Sequence, residues 1–275
     1  MSLPPRVPES SKPLPPGAKS PPAIPAATVV LVRDGAAGME VFMVVRHHEI
    51  DFASGALVFP GGKLDKGDFD PALRPLAEGG EGLDDMGFAL RVGAIREAFE
   101  ECGVLFARDA SGRMVDAARF AALAPYRAAL VDGKLDMLGF LTQEKLTLAM
   151  DGMAHFAHWI TPDGMPKRFD THFFLAAVPP GHDAVHDGSE SVDSVWIPPL
   201  QGVAEAEAGQ RTMVFPTRLN LKKLGCNRTV AEAMATARAA RVVTVLPKVQ
   251  RLPDRRVLVI PVEAGYGGSE FTVQA

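Results

Sequence analysis

The chain is predicted to fold as an α+β domain, and three observations carry that assignment. Apolar residues alternate or cluster in short β-branched runs near both ends of the chain. A long segment at 84–104 repeats its apolar residues at helical spacing instead. Strands and helices also mix without regular βαβ alternation, which excludes a doubly wound parallel sheet.

The first 26 residues hold nine of the 23 prolines and almost no large apolar side chains. Such a segment prefers extended or polyproline backbone and is read as a disordered tail. Order is expected from Ala27. ATVVLVRD, the turn GAAG and MEVFMVVR form a β-hairpin, and ALVFPGG a third strand running into a glycine pair. KLDKGDFDPALRPLAEGGEGLDD reads as a loop. A helix follows, with Asp84 or Asp85 as N-cap. Its residues Phe88, Val92, Ile95, Phe99 and Cys102 form one packing face, while Glu97, Glu100 and Glu101 lie opposite.

Residues 115–150 read as a helical insertion, interrupted at Pro125 and at the DGK turn. Strands are expected at 155–160, at 171–178, in SVDSVWIPP and in RRVLVIPVE, with one or two helices in LNLKKLGCNRTVAEAMATARAA. Residues 263–275 read as a C-terminal tail.

Composition narrows the function. With 47% hydrophobic residues the chain has ample material for a core. A net charge of −4 leaves no basic footprint for nucleic acid or an anionic membrane. Two cysteines without metal spacing argue against a disulfide framework or a Cys-based zinc site and suit a reducing compartment. No run of about 20 apolar residues is present. These features suit a cytoplasmic protein with a small-molecule substrate.

The chemistry gathers in REAFEECGV at 96–104. Like charges at helical neighbour positions cost roughly 0.2–0.5 kcal/mol per pair. Either solvent absorbs that cost or a cation does. FPGG at 59–62 precedes the acids with backbone able to approach a ligand closely, Arg96 can orient a carboxylate by a bidentate pair, and Gly103 can close the helix.

With these residues the chain resembles the Nudix hydrolase family, whose signature runs G, five residues, E, seven residues, R-E-U-x-E-E-x-G-U, with U a bulky aliphatic. Gly62 matches the first glycine, and residues 96–104 match the second half, with Ala98 a small choice for U. Asp68 stands where the first glutamate belongs, and 27 residues separate it from Arg96. An insertion at this place, here residues 69–88, is similar to that of a branch typified by the coenzyme A diphosphatase called nudix motif 19. ALVFPGGKLDKGD, HWITP and RFDTHFFLA resemble that branch too, so the resemblance spans residues 27–262.

The resemblance implies a Nudix α/β/α sandwich with a mixed sheet and helical insertions. It implies hydrolysis of a nucleoside diphosphate derivative with Mg²⁺ or Mn²⁺, whose hard character suits oxygen ligands. Gly62, Glu97, Glu100 and Glu101 are the implied metal ligands. Glu101 and Glu190 are rival general bases, and Arg96 and Glu97 complete the catalytic set. Arg46 and Arg168 are candidate substrate-binding residues, although Asp51 replaces a second basic residue of the coenzyme A-cleaving pattern. Coenzyme A or an acyl derivative is the expected substrate, with ADP-ribose, NADH or a dinucleotide as alternatives. A silent nucleotide-binding module and an isoprenyl diphosphate isomerase are further readings. The histidines are read as ordinary core or surface residues, Met137, Phe140, Met150 and Met153 as core, and a homodimer is compatible with the chain.

Overall fold

The computed structural model describes residues 13–15, 18–46, 55–186, 188 and 191–273. Chain order begins with strands β1 (Ile24–Gly35), β2 (Gly38–Arg46), β3 (Leu57–Val58), β4 (Gly61–Lys63) and β5 (Ala77–Glu78). Helix α1 (Asp85–Cys102), β6 (Ala107–Arg108), α2 (Ala117–Val131), α3 (Met137–Glu144) and β7 (Thr147–Ala149) follow. Next come β8 (Met153–Ile160), β9 (Phe169–Ala177), β10 (Ser191–Ile197), α4 (Pro199–Glu207), α5 (Phe215–Leu224) and α6 (Val230–Ala239). Four short strands end the chain: β11 (Thr244–Val245), β12 (Lys248–Arg251), β13 (Arg256–Val259) and β14 (Glu270–Val273).

The main sheet is mixed, in the order β10-β2-β1-β9-β8-β11, with β3 added to β2 and β4 to β1. β1 runs parallel to β9 and antiparallel to β2, so the sheet cannot be a simple meander. Alternation along β1 sends Ala27, Val29 and Leu31 to one face and Val30 and Val32 to the other. The first face packs α1, α2 and α3 through residues such as Phe99, Leu123 and Phe140. The second packs α4, α5 and α6 through Val203, Leu221 and Met234. Both faces being covered gives the α/β/α sandwich.

Several boundaries differ from the sequence expectation. β1 starts three residues before Ala27, and the proline-rich segment ahead of it touches the body: Leu14 N–H donates to Gly164 O at 2.6 Å, and Ser20 Oγ accepts from Gly164 N–H at 2.7 Å. The prolines there, which lack an N–H, leave this pairing to Leu14 N–H and to acceptors such as Ser20 Oγ. The single strand expected over ALVFPGG splits in two. Pro60 lacks an N–H, and Gly61 takes a φ of +150°, which redirects the chain from β2 to β1.

The helical reading of 115–150 fails at its end. Lys145 adopts a left-handed φ of 53° that terminates α3, and residues 147–149 then pair as β7 between β5 and β6. At the C-terminus, residues 270–273 are not a tail but a strand paired to β13. Met137, Phe140, Met150 and Met153 are core. Among the described residues no helix is long and apolar enough to cross a membrane.

Candidate active site

α1 places the acidic residues. Asp84 caps its start by accepting from Gly87 N–H at 2.7 Å, and Gly103, at φ 64°, closes its end in the left-handed region. Its packing stripe seats on β1, which turns the opposite stripe toward the β3–β4 glycine loop. That stripe is not a solvated surface. Arg96, Glu97 and Glu101 are only 7–8% exposed, and they line a cavity of about 940 Å³.

Arg96 organises the cluster. Its Nε and Nη2 donate to the two oxygens of Asp68, each at 3.0 Å, in a bidentate pair. Nη2 also donates to Lys63 O at 3.0 Å, and Nη1 to Glu97 Oε1 at 2.8 Å and Glu100 Oε2 at 3.0 Å. Burial alone would lower the guanidinium pKa, but the Asp68 hydrogen bond and the charges of Glu97, Asp68 and Glu100 outweigh it and raise it. Asp68, 1% exposed, therefore has a clear structural use despite being one methylene shorter than the signature glutamate. It also accepts from Asp65 N–H at 2.8 Å, which fixes the loop that delivers it.

The glycine loop closes the other side. Gly61 N–H donates to Glu101 Oε2 at 2.9 Å. A side chain at Gly62 would put its Cβ 2.5 Å from Glu97 Oε1, so only glycine lets the loop backbone lie against that carboxylate. Burial holds the Glu100 pKa above its ordinary value, although Arg96 pulls the other way. Four carboxylates, from Asp65, Asp68, Glu97 and Glu100, thus share Arg96 as their central cation, with Glu101 beside them on the same cavity. The donor set is all oxygen, which fits a hard divalent ion. Glu97 and Glu100 are turned onto Arg96 rather than onto each other. Among the described residues the group whose ligand atoms all lie within 4.8 Å of one another is a different one, His158, Asp170 and His172.

Arg46 stands at the end of β2 on the same cavity, its Nε buried and without a hydrogen-bond partner. Arg168, expected to bind substrate, is engaged elsewhere. It donates to Thr161 O at 3.1 Å and Pro21 O at 3.0 Å, and it pairs with Asp163 at 2.9 Å. Those bonds clamp the N-terminal segment to the β8–β9 connection. Glu190 lies outside the described residues. Residues not singled out from sequence but present at the cavity include Asp65, Lys63 and Lys167. For Asp65 a signal existed, since an Asp pair three apart beside a glycine loop suits a local capping arrangement. Trp159, Phe173, Phe215 and Leu258 add apolar surface to the same lining.

An α/β/α sandwich whose central helix presents a buried carboxylate set to a glycine loop is the Nudix arrangement of metal-dependent diphosphate hydrolases. A family model described as the NUDT19 Nudix domain matches residues 76–224, more than half of the chain. The chain belongs to the Nudix family and is related to NUDT19. A putative nudix hydrolase 7 of Caenorhabditis elegans is 29% identical over 184 residues, which is 67% of this chain and 55% of that relative. The chain thus spans little more than half the length of that relative. The crystal structure of a NUDIX hydrolase from Alicyclobacillus acidocaldarius is 29% identical and superposes with a TM-score of 0.66, over 80% of this chain and 99% of its own. Nudix hydrolases generally use divalent metal ions.

Proposed function

We propose that this enzyme cleaves the diphosphate of coenzyme A or an acyl-CoA, adding water across the P–O–P bridge to release a 4'-phosphopantetheine product and 3',5'-ADP. The observation that carries this reading is the cavity itself, lined both by carboxylates with Arg96 and by apolar side chains such as Trp159, Phe173, Phe215 and Leu258. At about 940 Å³ it sits at the upper end of common ligand sites. Acidic, cation-requiring lining suits a diphosphate, and apolar lining suits a pantetheine or acyl chain. Arg46, Lys63 and Lys167 line the same space and are available to a phosphate group.

Glu97, Glu100, Glu101 and the Gly62 backbone would hold Mg²⁺ or Mn²⁺. Bound there, the ion supplies charge neutralisation for the diphosphate and acidifies water. Glu101, fixed by the Gly61 N–H, is placed to accept a proton. Arg96 holds Glu97 and Glu100 in place and is a positioning residue. Arg46, with a buried unsatisfied Nε, gains a partner when an anionic group enters.

The test is a hydrolysis panel of coenzyme A, acyl-CoAs, ADP-ribose, NADH and nucleoside triphosphates with Mg²⁺ or Mn²⁺, products identified by mass. Coenzyme A compounds should give the highest kcat/KM, and Arg46→Ala should raise KM more than it lowers kcat. Preference for ADP-ribose or NADH would reject the substrate assignment, and no turnover of any compound would reject catalysis.

A further inference from the structure

β8 and β9 carry three histidines and an aspartate that the diphosphatase site does not use. His158 and His172 are opposite one another in the antiparallel register, and Asp170 is opposite Ile160, two residues along. All three therefore project from one face of the sheet. Trp159, Thr171 and Phe173, the alternating neighbours, line the catalytic cavity, so the cluster lies on the other side of these strands.

The imidazoles of His158 and His172 stack with centroids 3.8 Å apart. Asp170 Oδ1 is 2.5 Å from His158 Nε2 and 3.8 Å from His172 Nε2, and one ligand atom from each residue lies within 4.8 Å of the others. A four-coordinate ion with bonds of about 2.0–2.2 Å separates its ligand atoms by roughly 3.3 Å. The observed spacings bracket that value, and binding requires the two stacked rings, 22° from parallel, to rotate apart until both Nε2 lone pairs converge on the ion.

The outer nitrogens are engaged as well. His158 Nδ1 is 2.8 Å from Thr244 Oγ1, and His172 Nδ1 is 3.0 Å from His155 Nε2. With a hydrogen on each Nδ1, both Nε2 lone pairs face Asp170, and Thr244 and His155 accept. Outer-nitrogen hydrogen bonds of this kind orient metal-bound imidazoles and fix their tautomer. The His158, His172 and Asp170 side chains are 15%, 20% and 34% exposed, so an ion can reach them. His158 also borders a second cavity of about 420 Å³, which leaves room for a water ligand.

We propose that His158, His172 and Asp170 form a second metal site, for a borderline ion of the Zn²⁺ class. Two imidazoles favour such ions over Mg²⁺, which suits carboxylates and water. The ion would cross-link β8 to β9 and, through Thr244, to β11 at the sheet edge. The cluster is distinct in chemistry and place from the glutamates of α1.

Chelator-stripped full-length protein titrated with Zn²⁺ under saturating Mg²⁺ should bind about one equivalent and melt at a higher temperature. Co²⁺ should give the visible absorption of an imidazole-ligated site and paramagnetically shifted N–H signals from two histidines. His158→Asn and His172→Asn should each weaken Zn²⁺ binding tenfold or more, while Glu101→Gln leaves it intact. Unchanged Zn²⁺ affinity in the double His158→Asn/His172→Asn variant would overturn the proposal. If those variants fail to fold, the wild-type Co²⁺ signals decide, and their absence overturns it equally.

Discussion

Replacing Arg96 by lysine keeps the positive charge but removes the planar fork on which the acidic cluster is built. The guanidinium makes five hydrogen bonds: two to Asp68, one to Lys63 O and one each to Glu97 and Glu100. An ammonium offers three donors at one point and cannot reproduce the bidentate pair. At least two charge-assisted bonds are lost, each worth about 1.5–3 kcal/mol. The expected destabilisation is therefore about 3–5 kcal/mol, the range for breaking a buried ion pair. A domain of this size loses about 2–4 °C of Tm per kcal/mol, so Arg96→Lys should melt roughly 6–20 °C lower. Urea denaturation followed by tryptophan fluorescence measures it, since Trp159 is buried and donates to Tyr266 OH at 2.8 Å. A double-mutant cycle with Asp68→Asn isolates the pair. A loss below about 1 kcal/mol, or additive single variants, would refute Arg96 as the organiser of the cluster.

Three further outcomes follow from the same geometry. Glu101→Gln should lower turnover at least about 100-fold with Tm little changed, because its amide oxygen can still accept from Gly61 N–H; near-normal rates would exclude Glu101 as ligand or base. Gly62→Ala should displace Glu97, its Cβ falling 2.5 Å from Oε1, and raise the Mg²⁺ needed for half-maximal activity about tenfold; an unchanged metal titration would contradict it. Burial holds His182 below the usual histidine pKa, with its hydrogen bond to Val115 O opposing. The unfolded chain then takes up a proton that the folded chain refuses, so stability is full above about pH 6.5 and declines as pH falls below it. His182→Phe, stacking on Phe120 in the same place, should reduce that decline between pH 7.5 and 5.5 in urea midpoints, and identical slopes would exclude His182 as a source.

The hairpin and the central helix with its glycine C-cap were legible because each rests on local periodicity or turn chemistry, whereas the two-sided sandwich was implied only by the family resemblance. Gly103 and the Phe99 stripe needed no tertiary information, while the choice of Asp84 over Asp85 as N-cap came from the structure. The partner of Asp68 was not legible, since it sits 28 positions away and a sequence carries no distance across a loop. The partners of Arg168 were not legible for a related reason: a basic residue at a strand mouth suits either a phosphate or carbonyls, and Pro21, whose carbonyl it meets, is 147 positions away. β7 was missed because its three residues continue the apolar run of α3, and the break depends on one left-handed lysine. The histidines of β8 and β9 come together only through strand register.

The Asp68–Arg96 pair also bears on how this lineage can vary. Closing a loop costs entropy that grows only logarithmically with its length, so 27 residues in place of the family's seven cost roughly 1 kcal/mol more. One buried bidentate contact outweighs that. Between Asp68 and the start of α1, the exposed positions outside buried Leu73 and the β5 pairing with β7 are thus the part able to vary or acquire a new surface while the helix and glycine loop stay in register. Substrate range can change there without the hydrolytic apparatus being rebuilt.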